Sequence, residues 1–257
     1  MERIQEKEFK NLTLENANFK PFYMLIKFQS KERLEDLQNG HIYMKNLKYF
    51  IDLERVYKQE GQGDQNECRM FKAFNLKLTE HLTGKTIELE SVDISNAESI
   101  HKPVFCMTHK DICEKMIKLE YPKFKTTISV SKQIIDDFSE EGVELYALLI
   151  NKGEFLRRIA NELDNLKIPF RYGRVSYKDT SIFEFSSETK EVYFNTEFNK
   201  DERFSHQEEF RIILDINVEN YFDFNIGDIR DISMLMPARY LLEGITMEGK
   251  IGRLIEV

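Results

Sequence analysis

The pattern of apolar and polar residues near the start of the chain predicts a strand, a short helix and a second strand. Residues 22–28 are predicted to form a strand, and the alternation of Ile26 and Phe28 with Lys27 and Gln29 gives it two different faces. Leucines at helical spacing, followed by a glycine that can end a helix, predict the next element. The predicted bounds are 31–38 for the helix and 41–44 for the second strand.

Further along, helical and strand periods alternate without repeats or linkers. Helices are predicted over 49–59, 132–138, 152–166 and 237–242. Strands are predicted over 103–108, 124–130, 146–150, 174–177, 192–195, 209–214, 232–236 and 251–257, and a hairpin over 71–90 with its turn at Thr83-Gly84. The order predicts an α+β fold: one domain over 1–257, with a mixed, mostly antiparallel central sheet flanked by helices and a loosely packed lead-in over 1–20.

Composition fits a folded protein, since 41% of the 257 residues are hydrophobic and 12% are aromatic. The 37 basic and 45 acidic residues leave a net charge of −8, which argues against broad, nonspecific binding to nucleic acid. It leaves open a local basic groove on an acidic body.

The cysteines and the apolar runs predict a cytoplasmic location. Cys68, Cys106 and Cys113 are an odd number without metal-type spacing, so we expect neither a disulfide framework nor a zinc site. The polar start at 1–10 lacks an apolar signal region, and no apolar run approaches the ~20 residues of a membrane span.

The strongest candidate site is the polar segment that leads into the apolar strand at 209–214. Residues two apart share a strand face, so Gln207 and Glu209 are expected to point one way and Glu208 the other. A carboxylate beside an amide can hold a sugar hydroxyl and stabilise an oxocarbenium ion. The pattern alone favours the alternative, a structural ion pair of Glu209 with Arg211 or with a lysine of a neighbouring strand.

A second candidate group lies on the first two strands and consists of Lys27, Gln29, Tyr43, Lys45 and Asn46. Basic and amide groups of this kind can hold a pyrophosphate. A solvated sheet face explains the same residues about equally well.

The third candidate is the GQGD segment at 61–64, with Glu67 close by. It lacks the strand and the further glycine of a dinucleotide fingerprint, so its functional interpretation is a mobile lid, and a plain surface loop is favoured. A metal-dependent nuclease would need Asp64, Glu67, Glu208 and Glu209 to converge, but adjacent strand residues diverge. We therefore expect no metal.

The order of several short motifs resembles that of the bacterial DUF2971 family, whose function is unknown. The motifs are LEDLQNGHIY at 34–43, Phe50, FCM at 105–107, VSY at 175–177 and QEEFR at 207–211. The last is similar to the Glu-x-Glu-Trp-Arg of that family, with Gln207 and Phe210 in place of Glu and Trp. The Trp-x-x-Tyr segment of the family does not follow 105–107.

More distantly, the order of these elements, a strand–helix–strand opening and a later Gln-x-Glu at the start of a strand, resembles NAD-dependent ADP-ribosyltransferases of the DNA- and RNA-modifying toxin type. The resemblance implies their fold and NAD as a substrate. It implies that Glu209 is the catalytic glutamate that holds the nicotinamide ribose and that Gln207 orients the acceptor. Lys27 or Gln29 would lie near the adenosine, and Tyr43 would stack on nicotinamide. The predicted cofactor-binding set is completed by Lys45, Asn46 and Arg211.

Two functions follow as expectations. The first is an ADP-ribosyltransferase or NAD glycohydrolase, a toxin or phage-defence effector that cleaves the nicotinamide–ribose bond and transfers ADP-ribose to a nucleic-acid or protein acceptor. The alternative is a non-catalytic nucleotide- or protein-binding module in the same setting, where an acidic surface suits a basic partner.

Overall fold

A computed structural model describes residues 23–56, 61–112, 117–118, 123–178 and 196–250. The helices are α1 Lys31–Gln38, α2 Leu47–Arg55, α3 Lys132–Phe138, α4 Lys152–Leu166 and α5 Tyr240–Glu243. The strands are β1 Tyr23–Gln29, β2 His41–Asn46, β3 Arg69–Thr79, β4 Thr86–Ser95, β5 Pro103–Asp111, β6 Ile117–Lys118, β7 Lys123–Ile128, β8 Tyr146–Asn151, β9 Phe170–Arg174, β10 Ser176–Lys178, β11 Asn199–Asp201, β12 Glu209–Leu214, β13 Tyr221–Asn225, β14 Ser233–Pro237 and β15 Ile245–Lys250.

Among the described strands, the largest sheet has eight members, and it confirms the predicted α+β class with a mostly antiparallel sheet. Six strands follow the order β13-β2-β5-β1-β8-β14, while β12 pairs with β5 and β9 pairs with β12. Every pairing in this sheet is antiparallel. The other described strands form a β3–β4 ribbon, a β15-β7-β6 sheet and the parallel pair β10–β11.

The sheet forks at β5. One edge of β5 pairs with β12 over Val104–Thr108. On the other edge, β2 pairs with Pro103 and Val104, whereas β1 pairs with Thr108–Asp111. Between these two pairings, β1 and β2 separate, and no described strand pairs with 105–107 on that edge. The fork leaves a cleft between the two branches.

Apolar side chains cover both faces of the sheet, as the period of two requires. On one face, Phe210, Ile212 and Leu214 of β12 pack with α1 and α4. On the other face, Ile213 packs with Leu47 of α2. Side chains of β12 therefore alternate between the two faces of the sheet.

Several predicted elements are reproduced at both ends, namely α1, α3, α4 and β12. Two predictions are wrong. Residues 174–177 are not one strand, because β9 ends at Arg174 and β10 begins at Ser176. Pro237 does not begin a helix but ends β14, an edge strand, where a missing N–H is tolerated.

Some predictions lie outside the described residues: the lead-in at 1–20, the end of the helix at 49–59, the strands at 192–195 and 251–257, and Cys113. Within the described part of the chain, no helix is long and apolar enough to cross a membrane.

Candidate functional site

The cleft at the fork has a volume of ≈ 590 Å³ and gathers side chains from distant parts of the chain. Its wall includes residues of β1, α1, β2, α2, β5 and β12. Seven of the eight predicted site residues line it: Lys27, Gln29, Tyr43, Lys45, Gln207, Glu209 and Arg211. The fork therefore brings together two groups that the sequence placed more than 150 residues apart.

Glu209 begins β12 and is held by two cations. Its Oε1 accepts a hydrogen bond from Arg211 Nε at 2.6 Å, and its Oε2 accepts one from Lys200 Nζ at 3.0 Å. Burial alone would raise the pKa of this carboxyl, but the charges of Arg211 and then Lys200 outweigh it and hold the pKa well below its usual range. Glu209 is therefore an ionised carboxylate at neutral pH.

The guanidinium of Arg211 is saturated by protein groups. Besides the bond to Glu209, it donates from both terminal nitrogens to Glu67, and Nη1 also donates to the Glu197 carbonyl at 2.6 Å. Only 1% of Arg211 is exposed. Its predicted role as a cofactor ligand is replaced by a structural one, because it braces the carboxylates of the cleft.

Gln207 and Glu208 do not belong to the strand. Gln207 ends a 3₁₀ helix over Glu202–Gln207, and Glu208 follows in the left-handed conformation with a φ of 46°. The strand-alternation argument is therefore wrong in its geometry. Its result still holds, because Gln207 and Glu209 both line the cleft and both accept from Lys200, while Glu208 pairs with Lys110.

The side-chain amide of Gln207 is fully engaged by the protein. Its Oε1 accepts from Lys200 Nζ at 3.0 Å, and its Nε2 donates to the Gly61 carbonyl and to Asp137 Oδ2, each at 2.6 Å. These bonds join the segment at 61–68 to α3 and to the start of β12.

The segment at 61–68 is not a plain surface loop. Asp64 and Glu67 are buried, and a Cβ on Gly63 would lie 2.5 Å from the backbone nitrogen of Glu54. Burial raises the pKa of Asp64 and, against the attraction of Arg211, raises that of Glu67 to about 6. Among the described residues, no group of three or more His, Cys, Asp or Glu could hold a metal ion.

Lys27 is half-buried and extends from β1 into the fork. Its Nζ donates to the Cys106 carbonyl at 2.7 Å and lies 4.8 Å from the centroid of the Phe105 ring. Burial lowers its pKa. No carboxylate of the described residues lies within ion-pair distance of it, so an anion in the cleft would be its natural counter-charge.

A rim of three partly exposed tyrosines surrounds Lys45. Its Nζ lies 5.5 Å from the ring centroid of Tyr43, 5.0 Å from that of Tyr49 and 5.8 Å from that of Tyr221. The rings of Tyr43 and Tyr221 stack with centroids 5.0 Å apart. The rim offers flat apolar surface beside a positive charge, which suits an aromatic base next to a phosphate.

The two predicted amides occupy different positions. Gln29 lines the cleft and accepts a hydrogen bond from Arg33 Nη1 at 3.3 Å. Asn46 lies outside it: its side chain caps α2 by accepting from the Tyr49 amide at 3.1 Å and donates to the Glu219 carbonyl at 2.8 Å. Asn46 is therefore a structural residue.

The sequence allowed a lysine as an ion-pair partner of Glu209 but did not identify Lys200, and it missed Tyr221. Lys200 lies on the three-residue strand β11, which pairs in parallel with β10 and has no sequence signature here. Tyr221 lies on β13, whose alternating YFDFN pattern was a usable signal.

Comparisons with family models, with curated proteins and with solved structures found no match for this chain. The resemblances to the DUF2971 family and to ADP-ribosyltransferases therefore stay predictions.

Proposed function

We propose that the cleft binds NAD and that the protein is an ADP-ribosyltransferase-like enzyme that cleaves the nicotinamide–ribose bond. One observation carries the proposal. Residues predicted for the two halves of such a site, the carboxylate at Glu209 and the cationic and aromatic group at Lys27, Tyr43 and Lys45, line a single cleft.

Nucleotide binding is the part with the most support. The cleft volume lies within the range of about 300–1,000 Å³ common for small-molecule sites. Lysines and arginines of its wall outnumber carboxylates by five to three, although the chain as a whole carries a net charge of −8. In the proposal, Lys27 and Lys45 neutralise the pyrophosphate, and the tyrosine rim stacks on a base.

The chemistry proposed for Glu209 is electrostatic. The bond between the ribose C1′ and the nicotinamide nitrogen breaks, its electron pair leaves with nicotinamide, and positive charge develops on the ribose. An ionised carboxylate stabilises that charge. Water or an acceptor then bonds to C1′ and releases a proton. Gln207 would orient the acceptor.

The test is release of nicotinamide from NAD by the purified protein, with and without cell extract as a source of acceptors. Glu209→Gln is expected to lower the rate at least about 100-fold, the scale for losing one transition-state contact. Glu54→Gln is the matched control, because Glu54 is also buried and paired with an arginine, Arg203, but does not line the cleft.

Thermal melts of both variants separate catalysis from folding. A Glu209→Gln protein that keeps the wild-type rate would overturn the assignment. Loss of activity in both variants, in step with a lower melting temperature, would show that the buried ion pairs act through stability alone.

A second candidate is a nucleotide-binding module without catalysis. It is favoured by the engagement of Glu209 and Gln207 with protein partners on every side-chain polar atom. It predicts saturable NAD binding in calorimetry, weakened by Lys27→Met and unchanged by Glu54→Gln, with no nicotinamide released under any condition.

A further inference from the structure

A second cluster of basic side chains lies outside the cleft, at the opposite end of β1 from the fork. It consists of His109 near the end of β5, Lys152 at the first residue of α4 and Arg174 at the last residue of β9. None of the three lines the cleft.

Aromatic rings support this cluster. The ring of His109 stacks on Tyr23 with centroids 3.8 Å apart and on Phe210 at 5.5 Å. Lys152 Nζ lies 4.9 Å from the centroid of Tyr23 and 4.8 Å from that of Phe210, and the guanidinium carbon of Arg174 lies 6.0 Å from Tyr23. Two cations therefore converge on one stack of rings.

Within the described part of the chain, no acidic side chain forms an ion pair with Lys152 or Arg174. Burial, and then the nearby charge of Arg174, lowers the pKa of Lys152. By contrast Lys132, the first residue of α3, is paired with Asp136 at 2.6 Å. Two like charges held close together without a counter-ion favour binding of an anion.

His109 adds a buried polar atom without a partner. Its Nε2 lies 3.3 Å from Lys152 Nζ, and an ammonium group offers only hydrogens, so Nε2 presents its lone pair and Nδ1 carries the proton. Nδ1 is buried and has no hydrogen-bond partner, and the residue is 1% exposed. Burial, then Lys152 and Arg174, lower the pKa of His109 to about 3, so the ring is neutral.

We propose that Lys152 and Arg174 form a binding site for the phosphate group of a small phosphate monoester. The guanidinium offers a planar pair of donors and the ammonium a point charge, which together suit a dianionic oxyanion. The positive end of α4, a helix of 15 residues, adds to the attraction. Arg174 is exposed, so the site is open to solvent. It does not rest on the function of the cleft.

The test is titration of the whole protein with inorganic phosphate against chloride at equal ionic strength. The variants are Lys152→Met, Arg174→Gln and, as the matched control, Lys132→Met, which removes a paired lysine from the start of another helix. The readouts are the melting temperature and the chemical shifts of the His109 ring and the Gly153 amide.

We expect phosphate to raise the melting temperature of wild type and of Lys132→Met, and to shift the signals of His109 and Gly153. Each site variant should bind phosphate about tenfold or more weakly, the scale for losing a charge-assisted hydrogen bond. Without phosphate, Lys152→Met should melt above wild type, because a like-charge contact is gone.

Three results would overturn the proposal. One is a wild type that does not respond to phosphate. A second is the same response in all four proteins, which would be a general salt effect. The third is a Lys152→Met protein that melts below wild type and keeps its response, which would make the lysine a packing residue on Tyr23 and Phe210.

Discussion

Arg211 and Glu67 form a two-pronged ion pair that joins the segment at 61–68 to the middle of β12. Nη1 donates to Oε2 at 2.8 Å and Nη2 to Oε1 at 2.5 Å, and both side chains are buried. The same guanidinium donates to Glu209 through Nε. One arginine therefore sets the positions of two carboxylates of the cleft, one from a strand and one from a loop.

The raised pKa of Glu67 predicts a pH dependence of stability. In the folded protein it is about 6, whereas 4.5 is the ordinary value, so the folded state binds this proton more tightly. The contribution of Glu67 to the free energy of unfolding is therefore largest below about 4.5 and falls as the pH rises to about 6. Urea unfolding of wild type and Glu67→Gln across this window measures it.

The difference between the two proteins isolates Glu67, because the other titrating groups are common to both. We expect the unfolding free energy of wild type, minus that of Glu67→Gln, to decrease from pH about 4.5 to about 6. A difference that increases over the same range would mean that the attraction of Arg211 exceeds the cost of burial.

Replacing Lys27 is expected to keep or increase stability while it weakens NAD binding. Burial lowers its pKa, so keeping it charged at neutral pH costs folding free energy. Lys27→Met has a similar shape without the charge. We expect a melting temperature equal to or above that of wild type, and an affinity for NAD about tenfold lower in calorimetry, since a charge-assisted contact is lost.

Lys125→Met is the control for Lys27, because Lys125 pairs with Glu248 away from the cleft. It should leave NAD affinity unchanged. If Lys27→Met instead melts well below wild type while NAD affinity stays the same, the hydrogen bond from Lys27 to the Cys106 carbonyl is the reason this lysine is present.

Sequence patterns predicted local elements far better than their pairing. The helix at 152–166 and the strand at 209–214 were readable from their apolar spacing, because burial against one neighbour fixes that spacing. The fork at β5 could not be predicted from the sequence. It arises because β2 pairs with the first residues of β5 and β1 with the last ones. The alternation of apolar and polar residues along β5 does not show which strand pairs with which part.

The residue types of the candidate site could be predicted from the sequence, but the contacts between its side chains could not. Residue type and strand position were enough to select Glu209, Lys27 and Tyr43. Of the two partners of Glu209, the sequence identifies only Arg211, which is two residues away. Lys200 contacts Glu209 through the tertiary structure. Asn46 was misjudged because an amide that caps a helix reads, in sequence, like one that faces a ligand.

The tyrosine rim predicts a loss of affinity without a loss of stability. Tyr43 is 43% exposed and stacks on Tyr221, so its removal leaves little unfilled space. If a base stacks on it, Tyr43→Ala should weaken NAD binding by about 1–3 kcal/mol in calorimetry. Tyr240→Ala is matched for exposure at 48% and lies outside the cleft, so its affinity should equal that of wild type. Equal affinities of the two variants would exclude stacking on Tyr43.

Among the described glycines, Gly40 is the one at which an added methyl group is expected to destabilise the fold most. It follows α1 with a φ of 93°, and a Cβ there would lie 2.2 Å from the carbonyl oxygen of Gly227. Backbone atoms cannot move aside as a flexible side chain can. Gly40→Ala should therefore combine conformational strain of about 1–2 kcal/mol with overpacking of about 1–3 kcal/mol.

A substitution at Gly84 measures the conformational strain without the overpacking. Gly84 too has a positive φ, 70°, in the β3–β4 turn, but a Cβ there would meet nothing within 4 Å. Gly84→Ala should lower the free energy of unfolding by the strain alone, about 1–2 kcal/mol at most. Urea denaturation of the two variants measures the difference. Equal losses would mean that the backbone around Gly227 moves to accommodate the added methyl group.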